Sequence, residues 1–133
     1  MPATVPGLSV SGPESLGCPA GMSDPAAPTC VSVTTVLRAK PGCEAAVEAA
    51  LDGLARAVRR DEAGCLLYQP VRSRHEPGHF LVFERYRDDA ALAAHANAEH
   101  FRAVIPELLD CLSEPPALVL YDELVRPGGS GAS

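Results

Sequence analysis

The sequence predicts an α+β domain of the ferredoxin-like plan, a split βαβ with element order β-α-β-β-α-β. Three observations predict it. Runs rich in β-branched and aromatic residues alternate with runs whose apolar residues recur every three or four positions. That alternation occurs twice between residues 31 and 126. Turn-forming Pro, Gly and Asp residues stand at the junctions.

Residues 31–39, Val-Ser-Val-Thr-Thr-Val-Leu-Arg-Ala, read as the first strand. Pro41-Gly42 ends it. Over residues 44–60, Val47, Leu51, Leu54 and Val58 recur at helical spacing, while Glu48, Asp52, Arg56 and Arg59 lie elsewhere, which describes an amphipathic helix. Residues 65–72 read as a second strand in which Pro70, having no N–H for a ladder, marks an edge or a bulge. Glu76-Pro77-Gly78 turns the chain into a third strand, residues 79–86. Asp88-Asp89 offers an N-cap to a short helix over 90–98. A second helical stretch covers 99–112, with Pro106 expected to kink or restart it. Pro115-Pro116 stops that stretch, and residues 117–125 form the last strand.

Pro, Gly and Ser fill nearly half of residues 1–30, which are therefore expected to be a flexible arm, and residues 127–133 a disordered tail. The 133 residues carry a net charge of −6 with no basic cluster, which argues against nucleic acid as a partner. No apolar run approaches the ~20 residues a membrane span needs, and the first ten residues do not read as a signal peptide. Five cysteines, an odd number without a C-x-x-C pair, suit reduced thiols and a cytoplasmic location.

The third strand places Phe80, Val82 and Tyr86 on one face and Leu81 and Phe83 on the other. In the last strand Leu118 and Leu120 oppose Val119 and Tyr121 in the same way. Both faces of the sheet are apolar, and helices from one chain of this size cover only one of them. A homodimer, sheet against sheet about a two-fold axis, is the expected solution.

Glu62-Ala63-Gly64-Cys65-Leu66-Leu67-Tyr68, Phe80-Leu81-Val82-Phe83-Glu84-Arg85-Tyr86, Leu92-Ala93-Ala94-His95 and His100-Phe101 together resemble the antibiotic biosynthesis monooxygenase domain, whose members include cofactor-independent quinol monooxygenases. The resemblance spans residues 31–125 and implies the dimeric α+β barrel, with a pocket in each subunit between helices and sheet. Tyr86 stands where relatives often carry Trp. The haem-degrading relatives require Asn, Trp and His where this chain has Thr35, His95 and Ile105, so haem degradation is not expected.

His95 follows Leu92 by three positions, shares its apolar face and is expected to point at the sheet. An imidazole with an ordinary pKa near 6.5 suits a general base. Glu84 shares a strand face with Phe80, Val82 and Tyr86, an unusual place for a carboxylate. Either it orients His95 or it pairs with Arg102 or Arg38. These two are the candidate catalytic residues, with Tyr68, Tyr86, Phe80, Val82, His100 and Phe101 as candidate substrate contacts. No metal is expected. His95 and His100 lie roughly 140° apart on a continuous helix, and only a break between them would let Glu84 complete a two-histidine, one-carboxylate set.

The expected function is oxidation of a quinol or polycyclic phenol by O2 to the quinone, without a cofactor. The alternatives are a non-catalytic dimer that binds a hydrophobic metabolite and an isomerase acting on a small polar ligand.

Overall fold

The computed structural model describes residues 9–11 and 29–124. Most of the arm expected at the N-terminus, and all of the tail expected over 127–133, lie outside them. The elements are β1 (Ser9–Ser11), β2 (Val31–Arg38), α1 (Glu44–Asp61), β3 (Cys65–Arg72), β4 (His79–Tyr86), α2 (Asp89–Asn97), α3 (Glu99–Asp110) and β5 (Ala117–Asp122). They form one sheet in the order β1-β5-β2-β4-β3.

The four long strands and three helices follow the predicted order, and the fold is ferredoxin-like. β2 runs antiparallel to β4 and β5, with Thr35 opposite Val82 on one side and Leu118 on the other. The short β1, which composition did not reveal, pairs in parallel with β5, Ser9 against Ala117 and Ser11 against Val119. β3 lies at the other rim, with a register shift between Cys65 and Leu67 and with Pro70 opposite Val82.

Local chemistry explains the boundaries. Gly42 has φ +90°, a conformation that only glycine adopts without strain, and its N–H donates to Glu44 Oε1 at 3.0 Å as α1 begins. Asp88 caps α2 by accepting from the Ala91 N–H at 2.9 Å, one residue upstream of where the sequence started the helix. α3 continues through Pro106 rather than restarting there. The proline ring and Arg102, whose carbonyl loses its usual donor, are both exposed, so water can serve that carbonyl.

The α1 stripe of Val47, Leu51, Leu54 and Val58 is fully buried against the sheet. Each such side chain contributes about 1.5–3 kcal/mol by leaving water. Phe101, Ile105 and Leu108 from α3 complete this core with Leu37, Phe80 and Val82. All three helices cover the same sheet face. Across that layer the other face stays open: Leu67 and Val71 on β3, Phe83 on β4 and Tyr121 on β5 are exposed.

Candidate functional site

The site forms where α1 ends, α2 ends and α3 begins. The backbone at Glu62 turns extended (φ −112°, ψ 92°) as its N–H closes the last turn of α1 on Val58 O. Ala98 is extended as well (φ −69°, ψ 143°) and separates α2 from α3. The two imidazoles that a continuous helix would splay apart therefore converge on one carboxylate. His95 Nδ1 lies 3.0 and 3.1 Å from the two Glu62 oxygens, and His100 Nε2 bonds Glu62 Oε2. Gly64 brings this corner together: a Cβ there would sit 2.6 Å from Ala91 Cβ on α2, so only glycine permits the close approach.

His95 is 4% exposed and points at the sheet, as its spacing from Leu92 predicts. Its ring lies 4.6 Å from Phe101, 5.4 Å from Tyr68 and 5.5 Å from Tyr86, centroid to centroid. Glu84 is also buried, but its partners are neither His95 nor an arginine. Thr35 Oγ1 donates to one of its oxygens at 2.8 Å and Tyr86 Oη to the other at 2.8 Å. The orienting carboxylate is Glu62, which the sequence reading quoted only as part of a motif. Arg38 instead faces Glu76 and Glu114. Asn97, closing α2, donates to Ala93 O at 2.9 Å.

The two carboxyls are driven in opposite directions. Burial alone pushes Glu62 up, but the hydrogen bonds and charges of His95 and His100 outweigh it, and its pKa falls below the ordinary value. Burial dominates at Glu84 and raises its pKa, despite the opposing pull of His95, Tyr86 and Thr35. One site thus holds a carboxylate favoured as the anion beside a carboxyl favoured as the neutral acid, the arrangement that separates base from acid roles. Burial and the nearby carboxylates also raise Tyr68 and Tyr86 well above the usual phenol range. Cys65 is pushed up to about 11, first by burial and then by Glu62, which makes it a poor nucleophile.

His95 and Glu84 border a cavity of about 90 Å³, whose wall is otherwise almost wholly apolar. Of the other expected contacts, Tyr68, Val82 and Phe101 line it. Tyr86 reaches it only through Glu84, and Phe80 faces a different groove, about 650 Å³ between α1 and β3, which Arg72 and Glu48 bridge. His100 lines a third space, about 330 Å³, shared with Glu62, Cys65 and Arg87. Glu62, His95 and His100 bring donor atoms within 4.8 Å of one another. Glu84 takes no part in that set. Each imidazole nitrogen facing Glu62 lies within hydrogen-bonding distance of a carboxylate oxygen and can donate a proton to it.

Fold and site together define a ferredoxin-like domain that sets a buried imidazole and a buried carboxyl against a small apolar chamber, with Glu62 holding the imidazole from outside it. Residues 30–107 match the antibiotic biosynthesis monooxygenase family, and the chain belongs to it. Among solved structures it is similar to a candidate antibiotic biosynthesis monooxygenase from Caulobacter crescentus, 28% identical with a TM-score of 0.70 over 74% of this chain and 92% of that one. PA3566 from Pseudomonas aeruginosa is 34% identical, with a TM-score of 0.67 over 73% of this chain and 96% of that one. Rv0793 from Mycobacterium tuberculosis is 28% identical, with a TM-score of 0.68 over 74% of this chain and 98% of that one. An uncharacterized protein of Synechocystis, sll1783, is 32% identical over 62 residues, which span 47% of this chain and 42% of that relative.

Proposed function

We propose that the protein is a cofactor-independent monooxygenase that oxidises a single-ring quinol with O2. The observation that carries this reading is His95, buried, fixed through Nδ1 on Glu62, and bordering an apolar chamber with Glu84. With Nδ1–H donating to Glu62, Nε2 keeps its lone pair and takes a phenolic proton. The electron-rich anion then reduces O2. One oxygen atom enters the ring, the other leaves as water, and the ring becomes a quinone. Glu84, pushed toward its protonated form by burial, supplies a hydrogen-bond donor to the departing oxygen, and the apolar wall limits the access of bulk water.

Chamber size favours the smaller of the substrates expected from sequence. A cavity of about 90 Å³ is smaller than the ~150 Å³ apolar cavity known to take up benzene. A polycyclic phenol would need a larger displacement of the wall than a single ring. A single ring enters by displacing the half-buried part of the wall, Leu92 and Ala96 on α2 and Leu118 on β5. The isomerase reading is less favoured, because Arg38 is engaged by Glu76 and Glu114, Arg85 by Glu123 at 2.8 Å, and Arg102 is exposed on α3 and does not line the His95 chamber. Sequestration of a bulky hydrophobic metabolite meets the same size limit as a polycyclic substrate.

In this reading the open sheet face pairs with a second copy to give a homodimer. In the same reading the enzyme is cytoplasmic, where the four described cysteines stay free thiols.

An oxygen electrode tests the reading. Benzene-1,4-diol and its alkyl derivatives should drive O2 uptake matching quinone formation one to one, and His95→Ala should lower the rate ~10²–10⁴-fold. Uptake indifferent to His95→Ala refutes the assignment.

A further inference from the structure

We infer that Glu62 and His100 form a proton path linking His95 in the chamber to solvent at the surface, with His100 as its outer terminal. The inference rests on the reading of His95 as the base.

Three observations carry it. The side chains become steadily more accessible along the line, 5% for His95, 10% for Glu62 and 20% for His100. Both imidazoles meet the same oxygen, Glu62 Oε2, so the carboxylate has one imidazole on its inner side and one on its outer side. The two spaces are distinct: His95 borders the 90 Å³ chamber, whereas Glu62 and His100 border the 330 Å³ space. Glu62 is the partition between them.

A base this deeply buried beside an apolar chamber has little direct contact with water, and a chain of titratable atoms gives its proton a way out. Here the atoms balance. His95 Nε2 takes the substrate proton, and Nδ1 releases its own to Glu62. Glu62 Oε2 and His100 Nε2 hold one proton between them, which settles on Nε2 as Glu62 gains the inner one, while His100 Nδ1–H loses one to water in the outer space. When the departing oxygen needs a proton, Nε2–H returns it and Nδ1 is refilled by the reverse path. One proton leaves and one returns.

Other groups around the chain have fixed parts. Glu84 and the phenols Tyr68 and Tyr86 face His95 from the sheet. Cys65 and Arg87 share the outer space. Asp61, at the end of α1, also lines that space, and its charge is felt by His100. Among these, only Glu62 touches both imidazoles. Its depressed pKa, held down against burial by those two rings, keeps it an acceptor between transfers. His100 thus becomes a proton-transfer residue rather than a substrate contact.

The test has two arms on the full chain. In the first, histidine side chains labelled with ¹⁵N are titrated by NMR. His95 and His100 should titrate as a coupled pair with two-step curves at both rings, and His100→Ala should leave His95 with a single step. An unchanged His95 curve overturns the path, and so does a stoichiometric metal found in the purified protein and lost in His100→Ala. In the second arm, His100→Ala should turn over benzene-1,4-diol about tenfold more slowly in dilute buffer. Added imidazole should restore the rate in proportion to its concentration, which a merely structural residue would not allow, and absence of rescue overturns the path. Should wild type consume no O2, the oxygenase reading fails while the NMR arm still decides the path.

Discussion

Phe83→Ala measures whether the open sheet face is an interface. Phe83 is 42% exposed on a strand whose alternate residues are buried. A phenylalanine presents ~200 Å² of surface, so about 80 Å² of this 42%-exposed ring is left for a partner to cover. At ~25 cal/mol per Å² the loss is about 2 kcal/mol per copy. A two-fold axis counts it twice, about 4 kcal/mol, which weakens the dimer roughly 10³-fold. Sedimentation velocity over a dilution series reads the change directly, with Glu107→Ala on the exposed side of α3 as the control that leaves it unmoved. The folded monomer itself should barely notice, since an exposed substitution stays within about ±0.5 kcal/mol. Equal dissociation constants for Phe83→Ala and wild type, or a wild type that stays monomeric at every concentration, would refute the sheet-to-sheet argument.

The two carboxyls make opposite contributions to stability as pH changes. Glu84, raised by burial, stabilises the fold while protonated, and that contribution disappears as pH rises through its folded pKa. Glu62, lowered by its histidines, stabilises the fold above the ordinary carboxyl range and loses that contribution as pH falls through its folded pKa. Thermal melts of Glu84→Gln should match wild type in acid and exceed it increasingly toward alkaline pH, and a constant offset would contradict the burial of a neutral carboxyl. Gly64→Ala places a Cβ 2.6 Å from Ala91 Cβ and 3.3 Å from Arg87 Nη2, so α2 must back away. Urea unfolding should show a loss of about 1–3 kcal/mol, whereas a wild-type midpoint would mean the corner yields freely.

The fold was legible wherever one residue's environment is set by its near neighbours. The α1 stripe from Val47 to Val58 and the alternation of Phe80, Val82 and Tyr86 each declare a buried face by spacing alone, and both are buried. The orientation of His95 followed from Leu92 in the same way. Its partner did not. Glu62 lies 33 positions before His95 and 38 before His100, and a carboxylate just past a helix end reads as an ordinary solvated residue. The signal was present in its motif, beside a glycine that sequence alone gives no reason to require. Break geometry at Ala98 was likewise hidden, because alanine favours helix and only tertiary packing makes it extended there. Chamber volume depends on how Leu37, Leu54, Ile105 and Leu108 interdigitate, and no periodicity encodes that.

The two rims of the sheet bear on whether a molecule with so much bare β-surface can add strands from other chains. Growth of a cross-β ribbon needs a run of unpaired N–H and C=O groups along one rim. At one rim the edge strand β1 is only three residues long, Ser9–Ser11 against Ala117–Val119 of β5. At β3 the register shift and the missing N–H of Pro70 interrupt the run. Strand addition is thereby discouraged at both ends, whereas the two-fold pairing proposed for the flat face would stop at two copies instead of propagating.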